Sequence, residues 1–270
     1  MKKLLLSAFV ICLAGTSIAQ ESPLWMRHCA LSPDGTTIAF TYKGDIYTVP
    51  STGGRATQIT TNPAFDTEPV WSPDSKQIAF ASDRMGSLDV FVVSSEGGAP
   101  QRLTTHSGSE KPVAYKDNKH ILFTANIAPS AEDAGFPSGQ FQQVYEVAVT
   151  GGRPAMFSSM PMECISINKE GVMLYQDKKG YEDYWRKHQV SPIARDIWTY
   201  TPGKKPVYQK QTTFGGEDRE PVWSPDGKSF YYLSEEKGSF NIFQRTPGTT
   251  TSQQITFHTK HPVRFLSIST

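Results

Sequence analysis

The sequence lacks the patterns that mark a catalytic or metal-binding protein. It has three cysteines and six histidines in 270 residues, and only His258 and His261 stand close together, without a third ligand at zinc-type spacing. There is no Gly-x-Ser-x-Gly nucleophile elbow, no His-Glu-x-x-His helix and no glycine-rich phosphate loop. We therefore expect no catalytic residue, no metal and no cofactor within these residues.

The sequence also lacks an excess of charge and a membrane-spanning apolar run. Lys and Arg number 27 and Asp and Glu 26, a balance that does not indicate nucleic acid or an anionic membrane as a partner. The apolar run from Leu4 to Ala14 is too short to span a bilayer. It follows Lys2 and Lys3 and precedes Ser17-Ile18-Ala19, so it predicts a signal peptide over residues 1–19 and export to the periplasm. Loss of that peptide leaves 25 basic and 26 acidic residues, a net charge of −1.

The sequence does contain an internal repeat. Glu68-Pro69-Val70-Trp71-Ser72-Pro73-Asp74 recurs as Glu220-Pro221-Val222-Trp223-Ser224-Pro225-Asp226. Ser-Pro-Asp-Gly is typical of a turn, because Pro presets φ, Asp caps its own backbone and Gly accepts a left-handed conformation. We call the Ser of this turn, and its equivalent in each repeat, the origin. Six predicted origins follow one another along the chain: Ser32, Ser72, Tyr115, Asn168, Ser224 and Ser269.

Each repeat contains four β-rich runs separated by turn signals. In the second repeat these are the Pro-Val-Trp run, Ile78-Ala79-Phe80, Asp89-Val90-Phe91 and Arg102-Leu103-Thr104. Four such runs per 40–50 residues are typical of one propeller blade. The fold class is therefore all-β: a β-propeller of four-stranded antiparallel blades over residues 20–270. We expect five complete blades and only the first strand of a sixth, with blades starting near residues 25, 66, 109, 162, 218 and 262.

The repeat register assigns structural roles to several conspicuous residues. Asp34, Asp74 and Asp226 share one turn position, so we interpret them as turn caps. Trp71 and Trp223 precede their origins by one residue, and we expect them to pack between blades.

The two cysteines of the mature chain, Cys29 and Cys164, fall on the inner strands of blades one and four. These strands lie across the channel from each other, and the residues are offset by one position relative to their origins. We expect two free thiols rather than a disulfide.

Two insertions interrupt the repeat. Ala128–Gln143 in blade three has a loop-like composition and predicts a connector. Lys178–Arg195 in blade four replaces a short turn with aromatic and basic residues. Arg forms bidentate contacts with carboxylates, so we interpret four residues here as candidate substrate-binding residues: Arg186, Lys187, His188 and Arg195. The alternative is a loop that packs on itself through Trp185.

The repeat pattern resembles that of TolB-type propellers over about 240 residues, a resemblance specific for fold but not for activity. The start of the first repeat (Leu31–Val49) and the insertion Tyr181–His188 resemble the first, six-bladed propeller of exported bacterial tricorn-type serine peptidases. In that family propellers pass oligopeptides to a catalytic core that follows a PDZ domain. The resemblance implies that basic residues anchoring a peptide carboxylate correspond to Arg186 and Lys187.

The function expected from this resemblance is that of a non-catalytic propeller which channels or gates oligopeptides for PDZ and peptidase domains absent from this chain. The expected ligands are oligopeptides or a protein partner. Any oligomer is expected of the full-length enzyme. One alternative is a stand-alone periplasmic TolB-like interaction module. Another is the propeller of a prolyl-oligopeptidase-type dipeptidyl peptidase. Counting strands also leads us to expect an incomplete sixth blade and an aggregation-prone fragment.

Overall fold

The computed structural model describes residues 25–127, 141–180 and 190–269, and this part of the chain contains strands and turns but no helix. Blade one contains β1 (Arg27–Leu31), β2 (Thr37–Tyr42), β3 (Asp45–Pro50) and β4 (Thr57–Gln58). Blade two contains β5 (Asp66–Trp71), β6 (Gln77–Ser82), β7 (Asp89–Ser94) and β8 (Gln101–Arg102). Blade three contains β9 (Lys111–Asp117), β10 (His120–Ala125), β11 (Gln143–Ala148) and β12 (Ala155–Ser158). Blade four contains β13 (Met162–Ile167), β14 (Met173–Asp177), β15 (Ile197–Thr201) and β16 (Val207–Lys210). Blade five contains β17 (Asp218–Trp223), β18 (Phe230–Ser234), β19 (Asn241–Arg245) and β20 (Gln253–Gln254).

The five blades share one topology. Each is a four-stranded antiparallel sheet whose strands are paired in chain order, with the first strand at the axis. The five complete blades and their antiparallel pairing are thus confirmed. Because the first strand ends at the origin turn and the second runs back, every origin turn lies at one end of the propeller. The connections between second and third strands, including both insertions, begin at the opposite end.

The repeated turn is held together by its own serine and aspartate. In blade two the Ser72 hydroxyl donates to Asp74 Oδ1 (2.7 Å) and accepts from the Gln77 amide (2.9 Å). The same pair of contacts forms in blades one and five, where Asp34 and Asp226 are the acceptors. The turn-capping role predicted for the three aspartates is therefore confirmed. Hydrogen bonds from the origin serine lower the pKa of Asp34, Asp74 and Asp226.

A second repeated contact joins the third strand to the residues that follow the fourth. A threonine hydroxyl there accepts a hydrogen bond from a backbone amide at the start of the third strand. The four pairs, at 2.9–3.0 Å, are Ile46–Thr60, Val90–Thr104, Ile197–Thr212 and Ile242–Thr256. This contact fixes a short outer strand that would otherwise be held by only a few ladder bonds.

The hydrophobic core lies between the blades rather than at one centre. One buried cluster joins Ile59 of blade one to Trp71, Ile78 and Phe80 of blade two, and similar clusters join each later pair of neighbours. The Trp71 indole N–H donates to the Ala30 carbonyl on the inner strand of blade one at 2.9 Å, and the Trp223 indole N–H donates to the Val172 carbonyl just before the second strand of blade four at 3.1 Å. The predicted packing of both tryptophans between blades is confirmed.

The register of blade three differs from the sequence prediction by one residue. Tyr115 pairs with Ile121 as Trp71 pairs with Ile78, so Tyr115 takes the tryptophan position and Lys116 is the origin. The turn Lys116-Asp117-Asn118 lacks the Ser-Pro pair, and without those residues the sequence pattern does not fix the register.

The predicted first strand of a sixth blade is not confirmed as a strand. Residues 262–269 pair with no strand in the described part of the chain, since a single extended segment needs a neighbour to form a ladder. Its place is nevertheless that of an inner strand. The Leu31 amide donates to Ser267 Oγ at 3.1 Å, as the Trp223 amide donates to Ser166 Oγ between blades four and five. We call residues 263–268 the closing segment.

Candidate functional site: the axial channel

A β-bulge in each inner strand points one side chain at the propeller axis. In blade two, Thr67 pairs with Ala81 and Val70 with Ala79, which leaves Glu68 and Pro69 opposite the single residue Phe80. Similar register shifts occur in the other four blades. The bulge raises local twist and redirects a side chain, and bulges are frequent beside functional sites.

The bulged residue lies four positions before the origin and has a left-handed backbone. His28, Glu68, Cys164 and Glu220 have φ between 50° and 55°, and Phe265 of the closing segment has φ of 57°. Blade three has Pro112 here, whose ring forbids a positive φ. Each non-glycine residue in this conformation costs about 1–2 kcal/mol. Backbone strain that recurs at the same position around the axis is typical of a functional site. We call these six residues the bulge ring.

The bulge ring lies on the wall of an axial cavity of about 880 Å³. All five blades and the closing segment contribute to its wall. Four cations line it at the end where the inner strands begin: Arg27, Lys111, Lys178 and Arg195. We call this end the cationic mouth and the end with the origin turns the turn mouth. The two ends of the cavity therefore differ chemically, and we refer to the cavity as the axial channel.

Carboxylates of the wall pair with the cations of the mouth. Lys111 Nζ lies 2.6 Å from Glu68 Oε1. Glu163 binds Lys178 Nζ through Oε1 at 3.1 Å and Arg195 Nε through Oε2 at 3.1 Å. Burial raises the pKa of Glu163, but the charges of Arg195 and Lys178 outweigh it and hold that pKa below its ordinary value. Glu163 therefore stays ionised and joins the two ends of the blade-four insertion.

Arg195 is the one predicted substrate-binding residue within the described residues. It lies on the channel wall at the cationic mouth but is only 7% exposed. Besides Glu163 it contacts Glu217 at 3.4 Å, and Glu217 contacts the fully buried Arg219 at 2.8 Å. Burial lowers the pKa of Arg195, and the charges of Glu163 and Glu217 more than offset it. Arg186, Lys187 and His188 lie outside the described residues, so their part in the site stays a prediction.

His28 faces the channel as a neutral imidazole. Burial lowers its pKa, Glu68 opposes this, and Lys111 and Arg27 add to the lowering. Its Nδ1 lies 3.2 Å from the Thr67 hydroxyl, and its ring lies 5.0 Å from the Phe265 ring. A histidine already uncharged near neutral pH contributes shape and a polar contact rather than a fixed charge.

The two cysteines are free and line the same channel from blades one and four. Cys164 is exposed to the channel, whereas Cys29 is half-buried. Enclosure by protein raises the pKa of Cys164, and Glu220, Glu163 and Glu68 raise it further; burial also raises the pKa of Cys29. Nucleophilic cysteines need the opposite shift, so neither thiol has the environment of a catalytic residue.

The arrangement of charged and polar groups around the channel suits the binding of a ligand. No group of three or more His, Cys, Asp or Glu side chains in the described ranges could hold a metal ion. Nor do these residues include a helix long and apolar enough to cross a bilayer. What the site offers is a walled channel with fixed charges and hydrogen-bonding groups, which suits an extended, polar ligand.

Sequence reasoning did not identify the bulge ring or the Glu163 ion pairs. Aligning the predicted origins and reading four positions back collects His28, Glu68, Cys164, Glu220 and Phe265, but in blade three it gives Lys111 instead of Pro112 because the predicted origin there is one residue early. No sequence pattern indicated the ion pairs of Glu163. Glu163 lies on β13, whereas Lys178 follows β14 and Arg195 precedes β15, so the three residues meet only because these strands pair side by side.

Comparison with known families settles the relationship of this fold. Residues 23–270 match the family of tricorn protease N-terminal beta propeller domains. The chain belongs to this family. The match covers both insertions and the closing segment, so the resemblance read from the repeats is confirmed.

Individual relatives agree with the family match. Over 213 residues the chain is 39% identical to tricorn protease homolog 1 of Streptomyces coelicolor, covering 78% of this chain and 19% of that protein. The crystal structure of the tricorn protease has a TM-score of 0.74 at 17% identity, covering 91% of this chain and 24% of that one. TolB from Acinetobacter baumannii has a TM-score of 0.58 at 18% identity, covering 82% and 51%. The tricorn-type propeller is thus a module related to peptidases, and it spans about a fifth of the length of its tricorn relative.

Proposed function

We propose that this tricorn-type propeller is the non-catalytic channel module of an exported serine peptidase. In this proposal it passes oligopeptides along its axis to or from PDZ and peptidase domains elsewhere in the full-length protein. The observation that carries the proposal is the axial channel of about 880 Å³, with strained side chains aimed into it from successive blades. An extended peptide suits such a channel because its backbone needs hydrogen-bonding groups along its length.

The cationic mouth is the proposed place where a peptide carboxylate is recognised. Both ends of the blade-four insertion, Lys178 and Arg195, reach this mouth. We propose that Arg186, Lys187 and His188 contact peptide together with Arg195. Since Arg195 is held by Glu163 and Glu217, its contribution is a fixed positive potential rather than a mobile anchor.

Blocking the channel tests the proposal. In the 270-residue chain with Cys12→Ser and Cys29→Ser, Cys164 is the one remaining thiol and is exposed to the channel. A bulky maleimide on Cys164 should reduce binding of a fluorescein-labelled hexapeptide at least about tenfold, because it occupies the ligand's path. Fluorescence anisotropy measures the binding, and S-methylation of Cys164 is the matched control that should leave it nearly unchanged.

Two outcomes would count against the channel function. Undiminished binding to the maleimide-labelled protein would place the peptide elsewhere on the propeller. If no oligopeptide binds with or without modification, the proposal fails and the TolB-like alternative, a surface for a folded protein partner, becomes the better explanation.

A further inference from the structure

Exposed large apolar side chains concentrate at one end of the propeller. The end with the cationic mouth is formed by the segments before each first strand, between the second and third strands, and after each fourth strand. Most of the exposed large apolar residues in the described ranges lie in these segments. We call them the apolar face: Trp25-Met26, Phe65, Met85, Met160, Val190 and Phe257.

The other exposed apolar residues have different surroundings. Met156, Val207 and Tyr208 lie on the outer strands of blades three and four. Ile255 corresponds to Leu103, which packs against blade three, so it faces the side of blade five rather than the end of the propeller. In the described part of the chain, neither the origin turns nor the turns between third and fourth strands carry a large exposed apolar residue. Single exposed apolar residues are ordinary, but a surface that collects them marks an interaction site.

The apolar face surrounds the axis instead of forming a groove. Trp25 belongs to blade one, Met85 to blade two, Val190 to blade four and Phe257 to blade five. A bound peptide would cover one side of such a ring and leave the rest in water. Covering the whole ring needs a body as wide as the propeller, and a second copy has that width and presents the same ring. A two-fold contact pairs identical surfaces in this way.

The area of the apolar face fits a stable dimer. Its residues are between 44% and 75% exposed. With about 200 Å² for a large side chain, they present roughly 800 Å² to solvent. A protein–protein interface of standard size buries about 800 Å² on each partner.

The charges at this end permit two copies to meet. Lys111 is paired with Glu68, and Lys178 and Arg195 are paired with Glu163, so the mouth itself carries little uncompensated charge. The exposed charges around it have both signs: Arg27, Lys43, Lys237 and Lys260 are cationic, and Asp83 and Glu236 are anionic. Charges of both signs on one surface can pair across a two-fold axis.

We propose that the apolar face binds a second copy of this chain, so that two propellers pack end to end about a two-fold axis perpendicular to the propeller axis. The two axial channels would then meet at their cationic mouths. This inference goes beyond the proposed function and does not depend on it, because peptide binding is a property of each channel.

Sedimentation equilibrium tests the stoichiometry. The chain from residue 20 onward is used, since the apolar run Leu4–Ala14 could itself cause association. We expect a reversible monomer–dimer equilibrium with no larger species, because a two-fold contact closes on itself. The dimer should persist as salt is raised, since burial of apolar surface is not screened.

Two matched valines locate the contact. Val190→Glu places a charge in the apolar face, and a two-fold contact contains that charge twice. It should raise the dimer dissociation constant at least about tenfold. Val207→Glu is the control, since Val207 is also exposed but lies on β16 at the outer edge, and it should leave the constant unchanged. Ile255→Glu is a second control, for association through the side of blade five.

Methionine oxidation reads the same contact without mutation. Met160 and Met156 are 46% and 47% exposed, but only Met160 belongs to the apolar face. Because oxidation by hydrogen peroxide follows exposure, Met26, Met85 and Met160 should oxidise at least about threefold more slowly in the concentrated dimer than in the dilute monomer. Met156 should oxidise at the same rate in both, and mass spectrometry of tryptic peptides measures all four.

Several results would overturn the proposal. A monomer at every concentration would leave the face without a second copy, and an open series of larger species would exclude the two-fold contact. Weaker association of Ile255→Glu but not of Val190→Glu would assign the contact to the side of blade five. Protection of Met26, Met85 and Met160 in the monomer would mean that another part of the same chain covers the face. Dimerisation that Val190→Glu weakens and Val207→Glu does not, with concentration-dependent protection of these methionines, supports the proposal.

Discussion

Blades two and five have almost the same inner strand and corner but different electrostatics behind them. Both begin with a buried aspartate six positions before the origin, Asp66 and Asp218, each paired in register with a serine. In blade two, Arg84 binds both oxygens of Asp66 at 3.0 Å. The equivalent position in blade five is Glu236, and Asp218 has no ion pair within the described residues.

This difference shows which features the repeat motif controls and which it does not. The two turns and bulges are the same because they depend on residues inside the motif. Whether the buried aspartate has an ion-pair partner depends on one residue outside the motif, which is Arg84 in blade two and Glu236 in blade five. Burial raises the pKa of Asp218 to about 7; hydrogen bonds from Ser234 and Thr212 oppose the shift, and Asp196 and Glu236 add to it.

The largest expected loss of stability comes from removing Arg84, the ion-pair partner of Asp66 in blade two. Arg84→Ala leaves the fully buried Asp66 without its ion pair, so we expect a loss of about 3–5 kcal/mol in the free energy of unfolding. Glu236→Ala, at the matching exposed site of blade five, should change it by less than about 0.5 kcal/mol. Urea unfolding followed by tryptophan fluorescence measures both. Equal losses would mean that the Asp66 pair does not distinguish the blades.

Blades two and five also differ in packing, at the residue that follows the outer strand of each blade. Leu103 of blade two is 4% exposed against blade three, whereas Ile255 of blade five is 40% exposed. Leu103→Ala should therefore cost about 3 kcal/mol, and Ile255→Ala less than about 1 kcal/mol. The same urea experiment applies. A large loss for Ile255→Ala would show that its side chain is covered in solution, for example by self-association, which sedimentation would detect.

Because Asp218 has a raised pKa, we expect its contribution to the free energy of unfolding to depend on pH. Its folded-state pKa lies above the value of an unfolded aspartate, near 3.9, so the folded state holds the proton more tightly. The stabilisation from this proton is complete below about pH 4 and is lost as pH rises through about 7. Asp218→Asn should raise the free energy of unfolding by about 2 kcal/mol at pH 8 and flatten the pH dependence.

Asp66→Asn is the matched control for that titration. It should destabilise the protein at pH 8, because Arg84 loses its charged partner. An Asp218→Asn variant with the wild-type decline between pH 4 and pH 8 would assign that decline to other groups.

The smallest expected effect lies in the corner itself. Ser75 and Gly227 share the left-handed turn position, with φ of 61° and 67°. Gly227→Ala should cost about 1 kcal/mol from backbone strain alone, since an added Cβ would lie 3.5 Å from Glu170 Oε2 without a clash. Ser75→Gly should stabilise by less than about 1 kcal/mol, because it also loses a hydroxyl that accepts from the Asp34 amide at 3.2 Å. Effects of one sign in both variants would contradict this account.

The fold was predictable wherever a residue acts within its own hairpin. Ser72, Pro73 and Asp74 specify a corner through contacts no more than five residues apart, so the sequence pattern predicts turn, strand order and blade count. Prediction missed by one residue in blade three, where Lys116-Asp117-Asn118 lacks that chemistry. It also assigned a strand to the closing segment, which has an inner-strand pattern but no partner strand in the described residues.

The candidate site was less predictable, because its residues meet across blades. The sequence drew attention to the blade-four insertion, and of its four candidate residues only Arg195 lies in the described part of the chain. The structure added Glu163, Lys178 and the bulge ring, whose members are chemically unlike: histidine, glutamate, proline, cysteine and phenylalanine. Such a set has no motif, since what its members share is a backbone conformation and a place on the axis.

The sequence by itself determined an all-β propeller of repeated four-stranded blades, because turn chemistry and alternating apolar residues act over a few residues and recur with each repeat. Only the tertiary structure decided which charges meet. Glu68 pairs with Lys111, which is 43 residues away, and Glu163 pairs with Arg195, which is 32 residues away. Asp218 has no cationic partner among the described residues. Ionic contacts act through space between neighbouring blades, so they become defined only when the propeller has formed.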